Sequence, residues 1–305
     1  MNGFLVLNKP AGLSSARGLA RVKHLLQADH AGHTGTLDPF ASGVLVCGIN
    51  QATRLTRFLA SSRKVYEGTL MLGVETDTQD ATGTVVAQRP WAGIAVEDLH
   101  RIFQRFEGDS LQAPPAYSAL KHQGVPLYRL ARQGRPVRKP PRPIHIARLR
   151  VLAAALPRVR FEVCCSPGTY VRSLAADIGR ELGCGGHLSA LTRLESDGFA
   201  IDQALTLEEV EAAARRGALS ATLIPMATAL AGMPGVTAGP EALARIRHGM
   251  PLAWRDLDTG AAPAPERSAP FVKVVDAGGE LTAVLEVDGA SAALKYAGVF
   301  MGPGH

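Results

Sequence analysis

The sequence predicts an α+β fold with one large domain and a smaller one after it. Three observations predict it. The chain has 305 residues, 46% of them hydrophobic and 20% charged, which is enough apolar material to bury a core and too much for a disordered chain. Short runs of strand and helix period are interspersed without a regular strand–helix alternation, which argues against a doubly wound sheet. Near the end, Ala231 to Pro240 carries three glycines and two prolines and marks a boundary. We divide the chain there, into residues 1–232 and 237–303.

The elements follow from local pattern. Phe4 to Leu7 reads as a short buried strand, ended by the turn Lys9-Pro10-Ala11-Gly12. Ser14 or Ser15 is placed to cap a helix whose Leu19, Val22, Leu25 and Leu26 keep a helical period. A Gly- and Thr-rich loop, Gly32 to Phe40, precedes the apolar run Val44 to Ile49. Val65 to Val74 and Thr84 to Val86 read as strands around the polar turn Asp77 to Gly83, and Glu97 to Phe106 as a helix. Val159, Phe161, Val163 and Cys165 alternate with Arg160, Glu162 and Cys164, as a half-buried strand requires. Gly168-Thr169 turns the chain into a helix with Val171, Leu174, Ala175, Ile178 and Leu182 on its apolar face, and Thr169 is its candidate cap. Beyond the boundary come a helix at Glu241 to Arg247, a Pro/Ala-rich loop at Gly260 to Pro270 that is expected to be mobile, and strands at Phe271 to Val275 and Leu281 to Val287.

Composition excludes several classes of function. The apolar runs, such as Gly43 to Ile49, are too short to span a bilayer, and no export signal is read at the start. Cys47, Cys164, Cys165 and Cys184 form neither a disulfide framework nor a zinc pattern, so a reducing cytoplasm is expected. No phosphate-binding loop, dinucleotide fingerprint or metal motif is present, and we expect neither metal nor cofactor. Net charge is +6, but the stretch Lys121 to Arg150 alone carries nine Lys or Arg and no Asp or Glu, so the remainder sums to −3. Basicity gathered in one place suits a surface laid on a polyanion, and Tyr117, Tyr128, His122 and His145 in or beside it suit RNA. A solvated basic loop without a partner fits the same residues.

The segment Gly32-His33-Thr34-Gly35-Thr36-Leu37-Asp38-Pro39 is the most informative. Its glycines allow close backbone approach, and Pro39 holds Asp38 extended, which presents a carboxylate in front of a buried strand. A plain turn with a surface histidine fits these residues equally well. Tyr66 begins an apolar strand and can face core or cleft. Arg172, in the first turn of its helix, can meet a carboxylate, a phosphate or a surface partner. Asp77 and Asp80 lack a third ligand and are better explained by a turn than by a metal. Asp177, Arg180 and Glu181 read as a solvated helix face.

Six blocks carry a family resemblance. The loop from Gly32 through Phe40-Ala41-Ser42-Gly43 resembles the signature of the bacterial tRNA uridine-55 pseudouridine synthases, the TruB family. Leu7-Asn8-Lys9-Pro10-Ala11-Gly12, Lys64-Val65-Tyr66-Glu67, Tyr117-Ser118-Ala119-Leu120-Lys121, Gly168-Thr169-Tyr170-Val171-Arg172 and Gly183 to Leu191 match in the family's order. Phe40 and Ser42 stand where the family more often has Leu and Thr. The resemblance implies a catalytic domain with a mixed, largely antiparallel sheet flanked by helices. It also implies, more loosely, a small RNA-binding PUA-like domain, with Ala244 to Gly249 as its best local match.

The resemblance also assigns roles. Asp38 matches the catalytic aspartate, which attacks the uridine and lets the base detach, rotate and rejoin through carbon. His33 matches a residue that holds the displaced nucleotide. Tyr66 matches the tyrosine that stacks on the base and helps remove a proton. Tyr170 and Leu191 match residues that line the uracil pocket, and Arg172 matches the arginine that pairs with the aspartate. Lys121, Arg135, Arg138 and Arg142, in the basic stretch, are the expected contacts to RNA backbone. The implied activity is an isomerase acting on the T-arm of tRNA as a monomer, without an obligatory protein partner, by base flipping. Two other functions remain open: a non-catalytic tRNA folding chaperone on the same scaffold, and a synthase within a guide-RNA complex, whose long extensions are not found here.

Overall fold

The computed structural model describes residues 1–59, 63–258, 269–288 and 293–300. The first apolar run forms β1 (Gly3–Lys9). Ser14 caps α1 (Ser15–Leu25), its hydroxyl accepting from the Arg17 amide, and Val22 is buried on the helix's inner face. Then come β2 (Ala31–His33), the loop that holds Asp38, β3 (Ser42–Ile49) and the short helix α2 (Thr56–Leu59). β4 (Lys64–Leu72) stops two residues short of the expected Val74, because Gly73 at φ +83° turns the chain into the hairpin β5 (Val74–Thr76) and β6 (Val85–Gln88).

After α3 (Val96–Arg105) and β7 (Gly108–Gln112), the basic stretch is not one loop. It holds the hairpin β8 (Lys121–His122) and β9 (Val125–Pro126), the helix α4 (Leu127–Arg132), and the first part of the long strand β10 (Arg142–Ala155). The alternating segment forms β11 (Arg158–Cys165). α5 (Val171–Glu181) follows, then β12 (Gly186–Ser196), β13 (Phe199–Ala200), α6 (Leu207–Arg215) and α7 (Met226–Ala229).

These strands build a nine-stranded sheet with the path β1-β3-β12-β4-β11-β10-β7, to which β2 and β13 add at one side. Every neighbouring pair on the path is antiparallel except β3–β12. The mixed, largely antiparallel α+β architecture is therefore the one the sequence predicts. α3 and α5 cover the middle of the sheet, where Leu99, Phe103, Leu174 and Ile178 pack with Phe161 and Val163. α1 and α6 cover the β1–β3 end through Val22 and Val210 against Leu5, Leu7 and Leu45.

The last part of the chain forms a five-stranded sheet, ordered β15-β14-β16-β17-β18. Its elements are β14 (Gly235–Ala238), α8 (Pro240–Arg247), β15 (Leu257–Asp258), β16 (Phe271–Val275), β17 (Leu281–Val287) and β18 (Leu294–Val299). The strands expected at Phe271–Val275 and Leu281–Val287 have those limits. β14 lies inside the segment read as a boundary. The Pro/Ala-rich loop expected from Gly260 to Pro270 lies outside the described residues except for its last two, and so do residues 301–303 of the second domain.

The two sheets share apolar packing. Leu281, Val284 and Phe300 are buried in one cluster with Phe4, Val6, Val44 and Met226 from the large sheet's side. Arg54 donates to the Val299 carbonyl (2.9 Å) and lies over the Phe300 ring, while Arg57 donates to the Ala297 carbonyl (2.7 Å). Ending the chain at Pro234 would uncover this cluster. The expected outcome is a marked drop in melting temperature, corresponding to a loss on the order of several kcal/mol. An unchanged thermal midpoint would show that the clusters on either side are independent.

Candidate active site

The loop between β2 and β3 hangs from buried polar side chains that reach it from four elements. The Ser15 hydroxyl donates to the Leu37 carbonyl (2.9 Å) and accepts from the Leu37 amide (2.8 Å). Lys9, fully buried, donates to the carbonyls of Ala41 (2.5 Å), Leu13 (2.7 Å) and Pro10 (2.9 Å). Arg193, also fully buried, donates to the Gly35 (3.0 Å) and Val44 (2.7 Å) carbonyls. The Thr34 hydroxyl donates to buried Asp197 (2.5 Å), which also accepts from Lys64 (3.3 Å) and Ser196 (3.0 Å). Gly43, at φ +103°, must be glycine because a Cβ would stand 2.2 Å from the Arg193 carbonyl oxygen. The backbone around Asp38 is thereby fixed before any ligand arrives.

Asp38 stands at the mouth of a cleft of ≈340 Å³ whose walls include Lys64, Tyr66, Tyr170, Arg172, Leu191 and Arg193. Its carboxylate is about one-third exposed, at 34%. Arg172 meets it with both ends of its fork, Nε to Oδ2 at 2.7 Å and Nη2 to Oδ1 at 3.2 Å. The guanidinium, only 3% exposed, also donates to the carbonyls of Thr78 (2.8 Å) and Tyr117 (2.7 Å). Two parallel charge-assisted bonds fix the orientation of the carboxylate and the direction of its free lone pairs. Arg172 lies in the first turn of α5 as predicted, but Thr169 does not cap that helix. The cap position is Tyr170, without a side-chain bond, and the Thr169 hydroxyl pairs with Ser166 instead (3.3 Å).

Asp77 and Asp80 do belong to a turn, as read, yet the turn has a second consequence. One oxygen of Asp80 accepts from the Thr78 hydroxyl and from the Thr82 amide and hydroxyl at 2.6–2.9 Å. Its other oxygen lies 3.7 Å from Arg172 Nε, and the side chain is 6% exposed. Arg172 is thus held between a half-open carboxylate and a buried one. Asp77 accepts from the Tyr117 hydroxyl (3.0 Å), which ties the turn to the wall that carries Ser118 to Leu120.

Tyr66 faces both ways: it is 7% exposed, packs within the large core, and still lines the cleft. Burial pushes its phenol above the ordinary value. Leu191, equally buried, and half-exposed Tyr170 complete the apolar walls. His33 is not part of the cleft wall; it sits one residue before Thr34 on β2, opposite Cys47. Burial, reinforced by the nearby Arg193 charge, lowers its pKa, so the ring is neutral at pH 7.

The basic residues divide. Arg142 lies over the Tyr170 ring (5.0 Å) and donates to the Gly168 carbonyl (2.6 Å), so it belongs to the cleft. Lys121, Arg135 and Arg138 are exposed and are not among its lining residues. Arg148 and Arg150, counted as free positive charge from the sequence, both pair with Glu162 on β11.

Sequence reasoning gave no role to Lys9, Lys64, Arg193 or Asp197, and did not foresee that Asp80 is buried. The first four are held partly by partners distant in sequence, such as Ala41 for Lys9 and Thr34 for Asp197, which local pattern does not show. Among the described residues no cluster of three or more His, Cys, Asp or Glu is arranged to hold a metal ion, and no helix is long and apolar enough to cross a membrane.

Known proteins resemble this chain in sequence and in fold. Residues 23–171 match the TruB family pseudouridylate synthase N-terminal domain, and residues 172–231 match the tRNA pseudouridylate synthase B C-terminal domain. The tRNA pseudouridine synthase B of Syntrophobacter fumaroxidans is 44% identical over 93% of this chain and 92% of its own length. That of Geobacter sulfurreducens is 44% identical over 86% of each chain. The chain belongs to the TruB family. Among solved structures, an H/ACA ribonucleoprotein bound to a substrate RNA containing 2′-deoxyuridine aligns with a TM-score of 0.74 at 26% identity, covering 98% of this chain and 85% of that one. This TruB family member thus shares its fold with a chain of an H/ACA ribonucleoprotein and is closer in sequence to these two tRNA pseudouridine synthases B. Its two family matches meet between Val171 and Arg172, so the site is assembled from both segments.

Proposed function

We propose that the protein converts uridine 55 in the T-loop of tRNA to pseudouridine, with Asp38 as the attacking carboxylate. The observation that carries this reading is the two-bond clamp of buried Arg172 on half-exposed Asp38 at the mouth of the Tyr66 cleft. Attack by a carboxylate requires a fixed direction, and the clamp aims Asp38 beside the apolar walls of the cleft. The reaction is balanced without a second substrate. The bond from the sugar to the ring nitrogen breaks, a bond from the sugar to a ring carbon forms, the transient bond from Asp38 to the nucleotide is formed and released again, and the proton on that carbon is exchanged for one on nitrogen.

The residues divide the work in this proposal. Leu191 and Tyr170 confine the detached ring while it turns, Tyr66 stacks on it and takes part in proton removal, and Arg172 keeps Asp38 aimed. His33, neutral and beside the loop, holds the nucleotide displaced when the target base leaves its stack. That extrusion costs roughly a few kcal/mol, which contacts to the T-arm backbone offset. The five-stranded module, residues 237–303 in the proposed division, adds affinity and orientation as a PUA-like RNA-binding unit. Four free, buried cysteines fit work in the cytoplasm, and we propose a monomer.

Lys121, Arg135 and Arg138 are the proposed phosphate contacts. Replacing all three with Ala should weaken tRNA binding and flatten its salt dependence, by roughly 0.7–0.9 in the log–log slope for each phosphate no longer neutralised. Arg142 is left in place, since its loss would disturb Tyr170. Binding measured across a salt series decides the matter, and an unaltered slope assigns these residues to a bystander surface.

A further inference from the structure

Four cations, Lys9, Lys64, Arg172 and Arg193, are buried around the Asp38 loop. Asp197 pairs with Lys64, and Asp38 and Asp80 pair with Arg172. Lys9 is absorbed by three carbonyls, and burial pushes its ammonium down to about 8. Arg193 differs from the other three. It has no exposed surface and no carboxylate partner among the described residues, and it lines the cleft. A buried guanidinium without a counter-ion is costly, and folds retain one where a fixed fork does something an apolar side chain cannot.

Its place in the sheet says what that is. Arg193 on β12 is the direct antiparallel partner of Tyr66 on β4, so the two side chains stand side by side on one face. The same guanidinium holds the Gly35 carbonyl, three residues before Asp38, and the Val44 carbonyl on β3. A register shift between Arg193 and Glu195 marks a bulge at this point of β12, a device that re-aims side chains.

We propose that Arg193 is a positioning residue for the isomerisation, fixing the Tyr66 hydroxyl and the Asp38 loop in one frame. It acts through those two groups, and it rests on the reading that this cleft makes pseudouridine. The positive charge of Arg193 also works against the burial that raises the Tyr66 phenol.

The test uses the full-length protein and a tRNA transcript, with Arg193→Lys, Arg193→Gln, Tyr66→Phe and the double variant Tyr66→Phe/Arg193→Lys. Lys keeps the charge but cannot grip two carbonyls and a phenol at once. Arg193→Lys should lower kcat about 100-fold, the cost of a misplacement of roughly 1 Å. The dissociation constant for tRNA should move by less than about threefold, because a residue with no exposed surface makes no backbone contact. Arg193→Gln should lose more. In the double variant the losses should not multiply, since the Arg193 effect that passes through the phenol is already gone.

Losses that multiply fully, or a weakened tRNA affinity with kcat intact, would reduce Arg193 to a structural residue or an RNA contact. Where the Arg193 variants do not fold, the guanidinium N–H resonance of Arg193 is compared between wild type and Tyr66→Phe. A shift on loss of one hydroxyl supports the contact, and an unmoved resonance overturns it. Wild type that forms no pseudouridine fails the functional reading itself, and the inference with it; active wild type with a silent Arg193 fails the inference alone.

Discussion

Asp38→Asn should leave the fold and tRNA affinity close to wild type while removing pseudouridine formation. Asn has nearly the same volume and keeps an oxygen where Arg172 Nε donates, so the loop and its clamps at Ser15, Lys9 and Arg193 have no reason to move. It lacks the anion. A residue that forms the covalent bond has no substitute, since the neighbouring carboxylates are committed: Asp80 is buried against Arg172 and Asp197 against Lys64 and Thr34. The loss should reach at least about 10⁴-fold in single-turnover rate. Binding and turnover are measured on the same preparation, because their separation is the point. Wild type that binds tRNA but makes no pseudouridine would identify a folding chaperone. Substantial turnover by the Asn variant would place the chemistry on another group.

The ease of reading this chain varied with the reach of its interactions. The strand Arg158–Cys165 was legible because one face packs on α3 and α5 and the other carries Arg158 and Arg160, so local alternation reports burial. β10 was not, although it is the longest strand described. Two bulges, between Ile146 and Arg148 and between Val151 and Ala153, break its period, and its leading prolines and arginines resemble a loop. β14 was hidden for a similar reason: its Gly235-Val236-Thr237-Ala238 becomes a strand by pairing in parallel with β16 and antiparallel with β15.

The candidate site shows the same limit. Asp38, Tyr66 and Arg172 were singled out by the family's blocks, and the structure brings all three to one cleft. The residues that fix them were invisible, because the burial of Lys9, Arg193 or Asp197 depends on carbonyls and hydroxyls 32 to 163 positions away. Thr169 illustrates the converse. Its identity suits a cap, but its hydroxyl is taken by Ser166 in the preceding turn.

The second large effect is expected at Arg172, where catalysis and stability separate. Arg172→Met removes the cation paired with Asp80, a carboxylate that is 6% exposed, and leaves the carbonyls of Thr78 and Tyr117 without this donor. Breaking a buried pair from one side costs about 3–5 kcal/mol. Asp38, one-third exposed, can be solvated and contributes little to that figure. The activity loss has a different origin, because Asp38 is then no longer aimed. Adding Asp80→Asn to the Met variant should therefore restore part of the melting temperature, since the uncompensated charge is gone, and none of the turnover. Arg172→Lys should fall between the two, with the charge kept and the two-bond grip on Asp38 lost. Thermal midpoints and single-turnover rates for the three variants give the answer. Recovery of turnover in step with stability would mean that Arg172 is a fold residue alone, and that the aiming of Asp38 comes from the loop clamps at Ser15, Lys9 and Arg193.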